Sequence, residues 1–162
     1  IGVRLVGSEM CIRDRNEGVF FNDYFDVSGI EIKKGADQIV FEDGKWVMGV
    51  FITDIDKAAS SLYLMRQLNV ALNRDIFRVK RIAFYTDPVL TKPIQEAMEE
   101  YPRTEIFQDV QRTLFQLLQK NSSIDLEEFN PIFIIDPYGR VVMYFDPNLD
   151  PKKILKDLKV LI

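Results

Sequence analysis

Between Trp46 and Leu72 the chain reads WVMGVFITDIDKAASSLYLMRQLNVAL, and the spacing of its apolar residues changes partway along. Val47, Met48, Val50, Phe51 and Ile52 form a short apolar run with β-branched residues. Such a run suits a strand covered on both faces, as in the middle of an α/β sheet. Gly49 within it weakens the strand signal slightly. Further on the period becomes helical: Ala58, Leu62, Met65, Leu68 and Leu72 make one apolar face, and Ser61, Arg66, Asn69 and Asn73 fall largely elsewhere. Asp54 and Asp56 stand between the two patterns. Either can cap the helix by accepting a backbone N–H bond, and their charge suits the positive end of its dipole. Strand, acidic loop and helix N-terminus make a junction at which a thiolate or an anion would be stabilised.

Before this stretch, Phe20, Phe21, Tyr24 and Phe25 form an aromatic cluster, expected as an extended segment packing on the sheet. Gln38 to Phe41 is expected as an edge strand, hairpinned to Trp46–Ile52 through Asp43-Gly44. Beyond it, the basic residues Arg74, Arg78, Lys80 and Arg81 read as a solvated loop leading into a strand over Ile82 to Tyr85. Pro93 suits the first turn of a helix carrying Ile94, Ala97 and Met98, and Tyr101-Pro102 ends it. Val110, Leu114, Leu117 and Leu118 define a further helix, closed by Asn121-Ser122-Ser123. Ile132–Ile135 and Arg140–Phe145 are strands joined by the turn Asp136-Pro137-Tyr138-Gly139, where proline sets φ and glycine permits positive φ. Asp150 and Pro151 open a last helix with Ile154, Leu155, Leu158, Leu161 and Ile162 on its apolar face. The order is strand, helix, strand, helices, hairpin, helix. A right-handed crossover then puts the long and last helices on one face and the middle helix on the other.

Composition narrows the function. The 162 residues fit one domain. The net charge of −4 and pI near 5.0 argue against nucleic acid as a partner. No apolar run of about 18 residues is present, so the sequence as given holds no membrane span. It has no histidine, which removes the commonest neutral metal ligand and general base. Its single cysteine, Cys11, excludes an intrachain disulfide or dithiol couple. Residues 1–15, IGVRLVGSEMCIRDR, lack a clear period and resemble a translated sequencing-adaptor read. They are expected to be non-native or disordered and to add nothing to the domain at 16–162. Without them the net charge is −5.

FITDIDKAASSLYLMRQLNVALNRDIFRVKRI and NPIFIIDPYGRVVMYFDPNLDPKKILKDLKVLI resemble the Sco-like, thioredoxin-fold proteins of bacterial cytochrome c oxidase gene clusters, in their membrane-anchored variant. The shared segments are Leu62-Tyr63-Leu64-Met65-Arg66-Gln67, Ile135-Asp136-Pro137-Tyr138-Gly139, and Asp150-Pro151 through Leu158. The resemblance implies an α/β, thioredoxin-like fold with a central mixed sheet flanked by helices. It implies oxidase subunits or assembly factors as protein partners, and a place at the periplasmic face of the inner membrane through an N-terminal anchor that this chain does not contain. The family carries a Cys-x-x-x-Cys pair on the loop. Registering on Leu62-Tyr63 puts Asp54 and Ala58 at those positions, and neither can exchange disulfides or bind Cu(I) through sulfur. Sco proteins also use a distal histidine for copper, and this chain has none. Pro131 matches the cis-proline that shapes the wall of a thioredoxin-fold site.

The expectation is therefore a redox-inactive interaction or assembly domain with no cofactor, no metal and no catalytic residues. The alternatives are a thiol oxidoreductase, peroxidase-like, or a copper chaperone using ligands not evident in the sequence. Thr53, Asp54 and Asp56 could form an oxygen site for a hard cation, but helix capping is the preferred reading. Glu99-Glu100, Glu127-Glu128 and Arg66-Gln67 read as solvated faces.

Overall fold

The computed structural model describes residues 19–28, 30, 32–34, 37–38, 41 and 43–162. Residues 1–15, including Cys11, and part of the proposed Gln38–Phe41 strand lie outside the described residues. Eight strands form one sheet in the order β1-β8-β7-β4-β5-β6-β2-β3. They are β1 (Val19–Asp26), β2 (Lys33–Lys34), β3 (Asp37–Gln38), β4 (Trp46–Phe51), β5 (Val79–Tyr85), β6 (Thr104–Gln108), β7 (Ile132–Ile135) and β8 (Arg140–Phe145). The helices are α1 (Ile55–Ala71), α2 (Thr91–Ala97), α3 (Thr113–Asn121), α4 (Leu126–Phe129) and α5 (Pro151–Leu161).

The apolar run in β4 is central, as its composition requires. It pairs in parallel with β5, Phe51 facing Phe84, and antiparallel with β7, Val50 facing Ile132. Both edges of β4 are thus taken, and the expected hairpin with Gln38–Phe41 has no room. Asp37–Gln38 pairs instead with Lys33–Lys34 at the far edge of the sheet. The aromatic segment expected to lie on the sheet is itself a strand of it: β1 pairs antiparallel with β8. The hairpin of β7 and β8 is as expected, with Gly139 at φ +86 in the turn. Asp136 fixes that turn by accepting from Tyr138 N and Arg140 N, each at 2.9 Å.

Two apolar layers follow from strand alternation. On one face Met48, Val50, Ile134 and Met143 pack with Met65 and Leu68 of α1, Ile94 of α2 and Leu158 of α5. On the other, Phe51, Ile82, Phe84, Phe133 and Tyr144 pack with Leu114, Phe115 and Leu118 of α3. The long and last helices do share a face. Of the two middle helices α3 lies opposite them, while α2 joins them. The unpredicted strand β6, parallel to β5, sits between α2 and α3 and separates them. Gly49 belongs to the second layer, where a Cβ would stand 2.8 Å from Phe84 Cε2. The missing side chain there makes room for the Phe51–Phe84 stack, with centroids 5.4 Å apart. Among the described residues, no helix is long and apolar enough to cross a membrane.

Candidate functional site

β4 ends at Phe51, and Ile52 N still donates to Phe84 O at 2.7 Å before the chain leaves the sheet. Asp54 is the N-cap of α1, with extended backbone at φ −147 and ψ 125. Its Oδ1 accepts from Asp56 N at 2.9 Å and from Lys57 N at 3.3 Å. That is helix capping, with Asp54 Oδ1 engaged by backbone donors. Ala58 N donates to Asp54 O at 3.0 Å, which places the two residues one α-turn apart. Asp54 is exposed and Ala58 is fully buried. The pair thus offers one position facing solvent, with a carboxylate, and one facing the core, with a methyl group.

The wall comes from the segment entering β7. Asp125 caps α4 through Glu127 N at 2.8 Å, and Asn130 closes it in the left-handed region at φ 45 and ψ 56. Buried Asn130 Nδ2 donates to Phe51 O at 2.9 Å, and Ser61 Oγ of α1 donates to Asn130 O at 2.7 Å. Thr53 Oγ1 adds a longer bond to Glu127 O at 3.4 Å. These bonds tie residues 127–130 to the end of β4 and the second turn of α1, and the buried Pro131 follows directly. No cis peptide occurs among the described residues, so the Asn130–Pro131 bond is trans, against expectation. The left-handed turn at Asn130 already redirects the chain from helix into strand, so a cis bond is not needed for that bend.

Other sequence candidates are placed as follows. Glu99, Glu100, Glu127 and Glu128 are exposed. Gln67 Nε2 donates to Tyr63 OH at 2.9 Å, and the Arg66 guanidinium lies 5.6 Å from the Tyr101 ring centroid. Met48 and Met65 are buried in the core. Ser61 and Asn69, expected off the apolar face, are buried polar groups. Asn69 Nδ2 donates to Ile76 O at 3.0 Å and Val79 O at 3.2 Å, pinning the turn between α1 and β5. Arg81, read as part of a solvated loop, is a buried β5 residue. A polar residue at helical core spacing was the available signal for Ser61 and Asn69; the carbonyls they meet come from distant sequence or from the following turn.

The parallel β4–α1–β5 unit followed by the β7–β8–α5 hairpin and helix defines a thioredoxin-like domain. Residues 55–162 match the model of the transmembrane-like, thioredoxin-like, C-terminal domain family, and the chain belongs to that family. Among solved structures it resembles copper-bound ScoI of Bradyrhizobium japonicum, at 18% identity and TM-score 0.59, over 90% of this chain and 99% of that one. It also resembles BsSco, described as a member of the Sco family of cytochrome c oxidase assembly proteins, at 18% identity and TM-score 0.59, over 86% and 95% of the two chains. A PrxQ variant from Xylella fastidiosa is similar at 16% identity and TM-score 0.59, over 87% and 96%. At these identities the likeness shows the fold. No curated protein matches the chain in sequence.

Proposed function

We propose that this domain is a redox-inactive, Sco-like binding factor in cytochrome c oxidase assembly, held by an N-terminal anchor at the periplasmic face of the inner membrane. The observation that carries the reading is the occupancy of the junction. Asp54 serves as a helix cap and Ala58 as a core residue, and registration on Leu62-Tyr63 puts the cysteine pair of the resembling family at these two positions. Without sulfur the loop offers neither disulfide exchange nor a soft site for Cu(I). The oxidase context rests on the segments shared with that family, on the domain family, and on the Sco proteins of the same fold.

A protein partner suits the loops at the C-terminal ends of the parallel strands. Val89 follows β5 and is 77% exposed, and Val110 follows β6 and is 63% exposed. The test uses the wild-type chain in insulin reduction and Cu(I) competition, with photo-crosslinkers at Val89 and Val110 in membranes that are assembling the oxidase. The expected result is neither reduction nor copper binding, and cross-links to an oxidase subunit or assembly factor. Catalysed insulin reduction or tight Cu(I) binding would replace this reading with an oxidoreductase or a copper chaperone.

A further inference from the structure

Arg81 is a charged side chain in an apolar layer. It lies on the same face of β5 as Val79, Ala83 and Tyr85, which pack in the layer beneath α1. Only 3% of it is exposed, and its Nε and Nη1 are sealed from solvent with no hydrogen-bond partner. Two further arginines border the same region. Arg103 immediately precedes Thr104, the residue of β6 that pairs with Arg81. Arg66 reaches over from α1, its Nη1 donating to Glu100 O at 3.5 Å beside Tyr101. Burial first, then the charges of Arg103 and Arg66, pull the Arg81 pKa below its ordinary value. Among the described residues, none of the three forms an ion pair with a carboxylate.

A guanidinium taken out of water without acceptors is unfavourable, and the cost is relieved when an anion supplies them. Arginine's planar fork matches oxyanions in bidentate fashion. Three cations with no carboxylate among them suit a dianion better than a monoanion. Aromatic surface adjoins them: the Arg103 guanidinium lies 4.8 Å from the centroid of Phe77, which is 71% exposed. We propose that Arg81, with the neighbouring Arg103 and Arg66, forms a binding site for a phosphate group, either free phosphate or a phosphomonoester. The site is separate from the Asp54 junction. Arg81 pairs with Met48 of β4, three positions before Phe51, or about 10 Å back along the strand.

The test titrates the whole chain with inorganic phosphate, phenyl phosphate and acetate at matched ionic strength, reading the thermal midpoint and the arginine Nε–H resonances. Wild type is expected to show a saturable rise in midpoint with phosphate and little response to acetate. Tighter binding of phenyl phosphate assigns the site to phosphomonoesters that use Phe77, and equal binding assigns it to free phosphate. Arg103→Gln and Arg66→Gln should each weaken phosphate binding about tenfold, as expected for a lost charged hydrogen bond. Arg81→Met should abolish the response without lowering the midpoint in phosphate-free buffer, because the unpaired buried charge is gone. If Arg81→Met does not fold, the Arg103 and Arg66 variants still decide the matter. A wild-type midpoint that ignores phosphate, acetate binding as tight as phosphate, or phosphate affinity unchanged in both the Arg103 and Arg66 variants overturns the proposal.

Discussion

Asn130→Ala is expected to loosen the wall of the junction. Asn130 is buried, and its Nδ2 donates to Phe51 O at 2.9 Å and more weakly to Leu126 O at 3.4 Å. The substitution removes the stronger bond, a loss of about 1 kcal/mol. Alanine must also adopt φ 45 and ψ 56, which costs a non-glycine residue without asparagine's local hydrogen bonding roughly 1–2 kcal/mol. One compensation is available: Asn130 Oδ1 is buried with no partner, and alanine removes it. The net expectation is about 2 kcal/mol, or ~4–8 °C in thermal midpoint for a domain of this size. Asn130→Gly separates the two causes, since glycine accepts the left-handed backbone. It should be less destabilised than alanine by about 1 kcal/mol. Urea unfolding of both variants, with amide exchange across residues 126–131, measures this. Equal midpoints for the two variants would refute the backbone argument, and wild-type stability in both would refute the hydrogen bond as an anchor.

Gly49→Ala is expected to destabilise by about 1–3 kcal/mol in urea unfolding, because its Cβ would meet the Phe84 ring while Phe51 stacks against that ring. Stability equal to wild type would show that the ring can retreat. The Asp26 carboxyl is held below its ordinary pKa, first by the hydrogen bond from the Ser28 hydroxyl at 2.6 Å, then by the Ser28 backbone N–H at 2.7 Å. A lowered carboxylate pKa gives stability that is present above the unfolded value, near 3.9, and is lost as pH falls through the folded one. Ser28→Ala should therefore raise the Asp26 pKa in an NMR titration and shift the onset of acid unfolding to higher pH. An unmoved pKa would assign the shift to another group.

Legibility in the sequence followed the range of the interactions. The strand and helix within Trp46–Leu72, the β7–β8 turn and the last helix could be read because apolar runs, helical spacing and capping aspartates are local signals. The strand β6 was missed because Thr104–Gln108 is half-covered at the side of the parallel sheet, and Glu105 breaks its apolar pattern. Arg81 was misread because its charge is local information while its burial is not: that depends on where α1 and β6 come to rest. The same holds for Asn130, whose partner Phe51 is 79 residues away. At the junction, the capping role of Asp54 was legible from residue type and position. The burial of Ala58 followed from its place on the apolar face. The trans bond at Pro131 was not legible, because the left-handed Asn130 that makes the bend is fixed by tertiary hydrogen bonds.

Asp54→Cys with Ala58→Cys puts the proposed reading of the junction to the most direct test. The Asp54–Ala58 backbone bond of 3.0 Å closes one α-turn, a geometry within reach of the Cα separation of about 4.4–6.8 Å that disulfides require. The helix N-terminus lowers the pKa of an exposed thiol at position 54. Loss of the cap costs about 1 kcal/mol in the reduced form. Mass spectrometry under mild oxidant, followed by Cu(I) competition, should show a reducible disulfide and new copper affinity in the variant, and neither in wild type. A folded variant that forms no disulfide and binds no more copper than wild type would contradict the placement of the redox positions at Asp54 and Ala58.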